Sequence, residues 1–169
     1  MKTHVARYVF CLVLIYSFNA LGGVLSKGSS NGMKYRAELV ADGFTIPWAM
    51  AFINNREILI TQRNGELKLL DRFNGRFQLV KGVPPVFSEG QGGLLDVALP
   101  PGYSTGGWIY FTYSKPAKEL SVTALARARY RDGALVNWND LLATKSATDT
   151  NKHYVSRIAF DNNEHVFFS

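Results

Sequence analysis

The chain has 169 residues, 47% hydrophobic and 19% charged, with 15 glycines and 11 phenylalanines, a globular composition at the length of one domain or part of one. Nineteen Lys and Arg against 13 Asp and Glu give a formal net charge of +6 at pH 7. Disordered and collagen-like chains are excluded, while the charge alone suits an anionic ligand, a nucleic acid or a plain basic surface equally well.

Residues 1–22 read as a secretory signal peptide. Lys2 and Arg7 lead into an apolar run from Tyr8 to Phe18, and Ala20 and Gly22 put small residues at the −3 and −1 positions of a cleavage site after Gly22. The run has 11 residues, short of the roughly 20 that a spanning helix needs, so no stable membrane anchor is expected. Cleavage leaves 17 basic against 13 acidic residues, a net +4, and removes the only cysteine, Cys11. A mature chain without thiols has no disulfide scaffold, no Cys-ligated metal and no cysteine nucleophile. A periplasmic or secreted location follows as the expectation.

Residues 23–39 are expected to be a flexible lead-in, rich in Ser and Gly as far as Gly32, that ends in a first strand. Beyond it the chain alternates short apolar, β-branched and aromatic runs with turn residues. Strands are predicted in turn at Trp48–Ile53, Glu57–Thr61, Glu66–Leu70, Phe77–Val80, Leu94–Leu99, Trp108–Tyr113, Ser121–Tyr130, Ala134–Val136, Ile158–Phe160 and Val166–Ser169. Asn64-Gly65, Asn74-Gly75, Gly106-Gly107 and Asp132-Gly133 stand between them, residues that tolerate positive φ in tight turns. No long amphipathic helix is predicted, and the fold class is all-β and antiparallel.

A pattern recurs three times: an Ala followed by an apolar residue and, further on, an apolar strand that ends in a hydroxyl. Ala51 leads to Thr61, Ala98 to Thr112 and Ala159 to Ser169, so the hydroxyls recur after 51 and then 57 residues. That period suits one four-stranded blade of a β-propeller, and predicts about two and a half blades; a β-sandwich with similar inner strands is the alternative. Two and a half blades leave the ring open, so the chain is expected to be a fragment, or to have its propeller completed by a second chain.

Three segments carry a resemblance to a known family: Ile46-Pro47-Trp48-Ala49-Met50-Ala51-Phe52, then Ile60-Thr61-Gln62-Arg63-Asn64-Gly65-Glu66-Leu67, then the string from Gly90 to Leu99, GQGGLLDVAL. Lys152-His153-Tyr154-Val155-Ser156-Arg157, followed by an apolar strand, is a fourth. In order and spacing these resemble the soluble PQQ-dependent aldose sugar dehydrogenases, the glucose/sorbosone dehydrogenase family, over about residues 40–169.

The resemblance implies an N-terminal portion of a six-bladed quinoprotein glucose dehydrogenase-like propeller. It also implies PQQ and calcium as cofactors, an aldose and an electron acceptor as partners, and oxidation of the anomeric carbon to a lactone. His153 falls at the catalytic base, which also touches the cofactor, and Gln91 at a glutamine that contacts cofactor and sugar. An imidazole, with an ordinary pKa of about 6.5, suits a base at neutral pH. Gly90, Gly92 and Gly93 would let backbone pass close to a flat ring, or would serve an ordinary interblade turn. Val155 replaces a glycine common in the family. No metal ligand is assigned in this chain: the calcium ligands and most cationic contacts to PQQ come from later blades of the family, so this chain alone is expected to be inactive and to bind PQQ weakly.

Asp96, inside an apolar strand, is either a buried hydrogen-bonded acid that ties blades together, the reading expected here, or a site residue. Trp48 and Trp108 are expected in core packing rather than as sugar-stacking platforms; Arg63 and Arg157 could neutralise cofactor carboxylates but are expected in pairs with acids or carbonyls, and His165 is expected on an exposed turn. The alternative to an oxidoreductase is a non-catalytic extracellular propeller fragment that binds a protein or glycan. Nucleic acid is not an expected partner, since no Lys/Arg stripe interleaves with aromatics.

Overall fold

The computed structural model describes residues 23–118, 120–145, 147, 151–154 and 157–169. The expected signal peptide, Cys11 and Val155 lie outside the described residues. Twelve strands form four separate antiparallel sheets. β3 (Pro47–Phe52), β4 (Glu57–Gln62), β5 (Leu67–Asp71) and β6 (Phe77–Val80) make one four-stranded meander. β7 (Leu94–Ala98), β8 (Trp108–Ala117), β9 (Leu120–Arg131) and β10 (Ala134–Ala143) make a second, and β11 (Ile158–Phe160) pairs with β12 (Val166–Phe168). The all-β antiparallel fold matches the expectation, and two meanders with a following hairpin are consistent with partial propeller blades; the described residues form no closed ring.

Residues 23–39, expected as a flexible lead-in ending in a first strand, carry two strands. β1 (Val24–Ser30) and β2 (Met33–Glu38) form a hairpin of their own, apart from the three sheets just described. Its turn is Asn31-Gly32, with φ of 47° and 79°, the two positive values that a two-residue hairpin loop with the right twist demands. Asp132-Gly133, at 46° and 84°, turns β9 into β10 in the same way. β10 runs seven residues past its predicted end at Val136, where Asn137, Asn139 and Asp140 interrupt the apolar pattern that marks a strand.

The core lies between the two meanders. Leu59, Leu67 and Leu69 of the first share one buried cluster with Ile109 and Phe111 of β8 and the small side chains Ala124, Ala126 and Ala128 of β9. All of these are buried, and their alternation along β8 and β9 follows the period of two that puts every other residue on one face. Ile58, Ile60 and Leu70 point the other way and are covered by Ala41 and Phe44.

The repeated hydroxyls have a structural task. Opposite Thr61 and Thr112 the ladder is irregular, with register shifts at Pro47/Ala49 and Leu94/Val97. There the hydroxyl replaces a missing carbonyl: Thr61 Oγ1 accepts the Ala49 N–H and Thr112 Oγ1 accepts the Asp96 N–H, both at 3.0 Å. Thr61 also donates to the Leu95 carbonyl of the next sheet at 2.6 Å. A side chain at a bulge thus links β4 to β7, and the first strands of successive sheets come to lie side by side.

Candidate functional site

Three loops meet at one end of the sheets. The β4–β5 turn begins at Arg63, the connection from β6 to β7 carries Gly90 and Gln91, and the connection from β10 to β11 carries Asn151 and His153. Arg63 donates from Nη1 to the Gly90 carbonyl, and its own carbonyl accepts the Leu94 N–H at 3.3 Å. The Gln91 N–H donates to the Asn151 carbonyl at 2.8 Å. In the opposite direction, the His153 N–H donates to Gln91 Oε1 at 2.8 Å.

The two predicted site residues, 62 positions apart in the chain, are therefore joined directly. Both are exposed. Among the described residues neither Gln91 Nε2 nor either ring nitrogen of His153 has a hydrogen-bond partner, so a donor and an imidazole stand open together. Asn151 and His153 have φ of 54° and 61°, in the left-handed region that non-glycine residues enter at a cost. Next in the chain, Tyr154 shares a hydroxyl–hydroxyl hydrogen bond with Ser121 of β9, which anchors the loop to the second sheet.

The glycines serve the protein rather than an open approach for a ring. An added Cβ at Gly93 would strike the Arg63 carbonyl, one at Gly90 the Asn151 carbonyl, and one at Gly92 the Phe87 carbonyl. Of the two readings held for them, the packed interblade turn is the one with contacts behind it. Arg63 and Asn151 were not singled out as site residues by sequence. The signal for Asn151 was its tolerance of positive φ; Arg63 was expected to pair with an acid or a carbonyl, and it pairs with the Gly90 carbonyl.

Asp96 is buried, and its Oδ2 accepts the Ile158 N–H of β11 at 2.7 Å, the tie between neighbouring sheets expected of it. Arg157 stands 3.7 Å from the same carboxylate. Trp48 departs from the expected core position: it is 44% exposed and, with Pro47, Met50, Asp96 and Arg157, lines a cleft of about 480 Å³. Trp108 is half-buried, with the guanidinium carbons of Arg127 and Arg129 each 4.2 Å from its ring. His165 lies on the β11–β12 turn at the other end of β11 from His153, paired with Asp161 at 2.7 Å, and its hydrogen bond holds the Asp161 carboxyl below its ordinary range. Among the described residues no group of three or more His, Cys, Asp and Glu could hold a metal ion, and no helix is long and apolar enough to cross a membrane.

Consecutive four-stranded meanders whose polar loops converge at one end, with an imidazole and an amide open there, define a blade-built all-β chain with a candidate site on its loops. Residues 44–169 match the glucose/sorbosone dehydrogenase family. The chain belongs to that family. It is 32% identical over 136 residues to the aldose sugar dehydrogenase YliI of Escherichia coli, covering 78% of this chain and 37% of the relative. An uncharacterized protein of Synechocystis, slr1608, is 32% identical over 139 residues, covering 78% of this chain and 34% of the relative.

Among solved structures, the apo form of the soluble aldose sugar dehydrogenase from Escherichia coli superposes with a TM-score of 0.72 at 31% identity, over 78% of this chain and 39% of that one. The PQQ-bound aldose sugar dehydrogenase of Streptomyces coelicolor gives 0.65 at 23% identity, over 85% of this chain and 40% of that one, a likeness of fold. The chain spans little more than a third of the curated relatives it matches.

Proposed function

We propose that the chain forms the first blades of a six-bladed propeller in an exported quinoprotein that oxidises the anomeric carbon of an aldose to a lactone. The observation that carries this reading is the hydrogen bond from His153 to Gln91 Oε1, which assembles two separated motifs of the family on one loop cluster. The open groups fit the chemistry: an imidazole for a hydroxyl proton, an amide N–H for an oxygen, and the Arg63 guanidinium nearby for a carboxylate. When bound, PQQ with its calcium supplies the acceptor for the hydride that leaves C1.

His153 takes the proton of the anomeric hydroxyl as the C–H bond breaks, which leaves the C1–O bond as the lactone carbonyl. Gln91 offers Nε2 to an oxygen of the bound molecules. The electrons pass on to an external acceptor. Export rests on residues 1–22, and the site's anionic partner agrees with the basic mature chain.

The test is a chimera in which residues 44–169 replace the matching segment of the Escherichia coli aldose sugar dehydrogenase. With PQQ and calcium it should oxidise an aldose, and His153→Gln should lower kcat by about 10²- to 10⁴-fold, the usual worth of a positioned base. A folded, PQQ-loaded chimera whose kcat is indifferent to His153→Gln contradicts the assignment.

A further inference from the structure

We propose that Gln91 is a positioning residue, whose side-chain carbonyl holds His153 in its left-handed backbone conformation and whose amide nitrogen is thereby committed to face the site as a donor. The proposal rests on the proposed function for what the His153 position means, and on the contact alone for the latch itself.

Asn151 and His153 both have positive φ, with one residue between them. Asn and His enter this region more readily than most side chains, yet each still gives up stability relative to an ordinary conformation. Two such residues in one exposed loop need bonds from outside to stay there. Gln91 supplies both: its N–H reaches the Asn151 carbonyl and its Oε1 receives the His153 N–H, each at 2.8 Å. Gln91 is itself set on a braced loop, since Arg63 clasps the neighbouring Gly90 carbonyl and Gly92 donates to the Glu89 carbonyl at 2.9 Å.

The chemistry of the contact then fixes which way the amide faces. A backbone N–H can only meet an acceptor, so the oxygen of the Gln91 amide is turned to His153 and the nitrogen is turned away from it. Nε2 has no partner among the described residues. A bound molecule beside His153 therefore meets an N–H at Gln91 and is read through an acceptor oxygen. Glutamate keeps the latch and loses this donor; alanine loses both.

The measurement is amide hydrogen exchange by NMR on the full chain and its variants. In the wild type the His153 amide should exchange at least about tenfold more slowly than that of its exposed neighbour Lys152, which has no such acceptor. Gln91→Ala should abolish that protection and move the His153 backbone shifts out of the left-handed range, while Gln91→Glu should preserve both. A His153 amide that exchanges like Lys152 in the wild type overturns the proposal whatever the variants do, so a Gln91→Ala chain that fails to fold leaves it testable. Retained protection in a folded Gln91→Ala overturns it as well. No readout here involves cofactor or turnover: an intact latch beside an inactive His153 would count against the proposed function alone.

Discussion

At the scale of single residues, the fold depends on polar side chains placed where strands break register. Thr61 is fully buried and serves two sheets at once, receiving the Ala49 N–H and donating to the Leu95 carbonyl. Thr61→Val keeps the shape and leaves both partners unpaired, so a loss of about 1–3 kcal/mol is expected, while Thr61→Ser should lose less because the hydroxyl remains. Asp96→Ala should cost a similar amount, since it strands the Ile158 N–H in the core. The Arg157 partner is too exposed and too distant to contribute much. Urea unfolding of the three variants checks these values. The role of Asp96 was legible because an acid between Leu95 and Val97 in an apolar strand must be either paired or reactive. The role of Thr61 was visible only as a repeating letter, because nothing in a sequence shows that a bulge has removed a carbonyl.

At the scale of elements, turn chemistry was the most readable signal and edge strands the least. Asp132-Gly133 reverses the chain as its residue types require, and Asn31-Gly32 does so in a stretch whose Ser/Gly composition suggested a single strand after a flexible lead-in. β10 escaped for the opposite reason, since its half-buried face is polar. There Asp140 accepts hydrogen bonds from the Tyr113 hydroxyl at 2.9 Å and the Trp138 indole at 3.0 Å, and pairs with Lys115 at 2.7 Å. Burial would raise the Asp140 carboxyl, but the hydrogen bonds from Lys115, Trp138 and Tyr113 outweigh it and hold it below the ordinary carboxylate range. Burial and the same carboxylate push the Tyr113 phenol up. A carboxyl lowered on folding contributes stability that is present in full above its unfolded value of 3.8 and is lost as pH falls from there through the folded value. Asp140→Asn should therefore flatten the fall in Tm on acidification below about pH 4, and an unchanged acid limb would remove Asp140 as its source.

At the scale of the whole molecule, the sequence period of 51 and 57 residues anticipated sheets built in series, and the hydrogen bond from Thr61 to Leu95 shows how one is joined to the next. That Gln91 and His153 meet was not legible in the sequence, which placed each in a separate motif. Motifs placed Gln91 and His153, but the braces from Arg63, Asn151 and Tyr154 depend on loops that meet only once the sheets stand side by side. The same scale limits what the chain can bind by itself. A tricarboxylate cofactor needs several cations or N–H donors, and among the described residues the loop cluster offers the Arg63 guanidinium, the amides of Gln91 and Asn151 and the His153 imidazole. The most direct measurement is a PQQ titration, in the presence of calcium, of the isolated chain beside the chimera that supplies the remaining blades. The account predicts tight binding by the chimera, weakened by Gln91→Ala, and weak or no binding by the isolated chain. Binding by the isolated chain as tight as that of the chimera, or indifference of the chimera to Gln91→Ala, would contradict it.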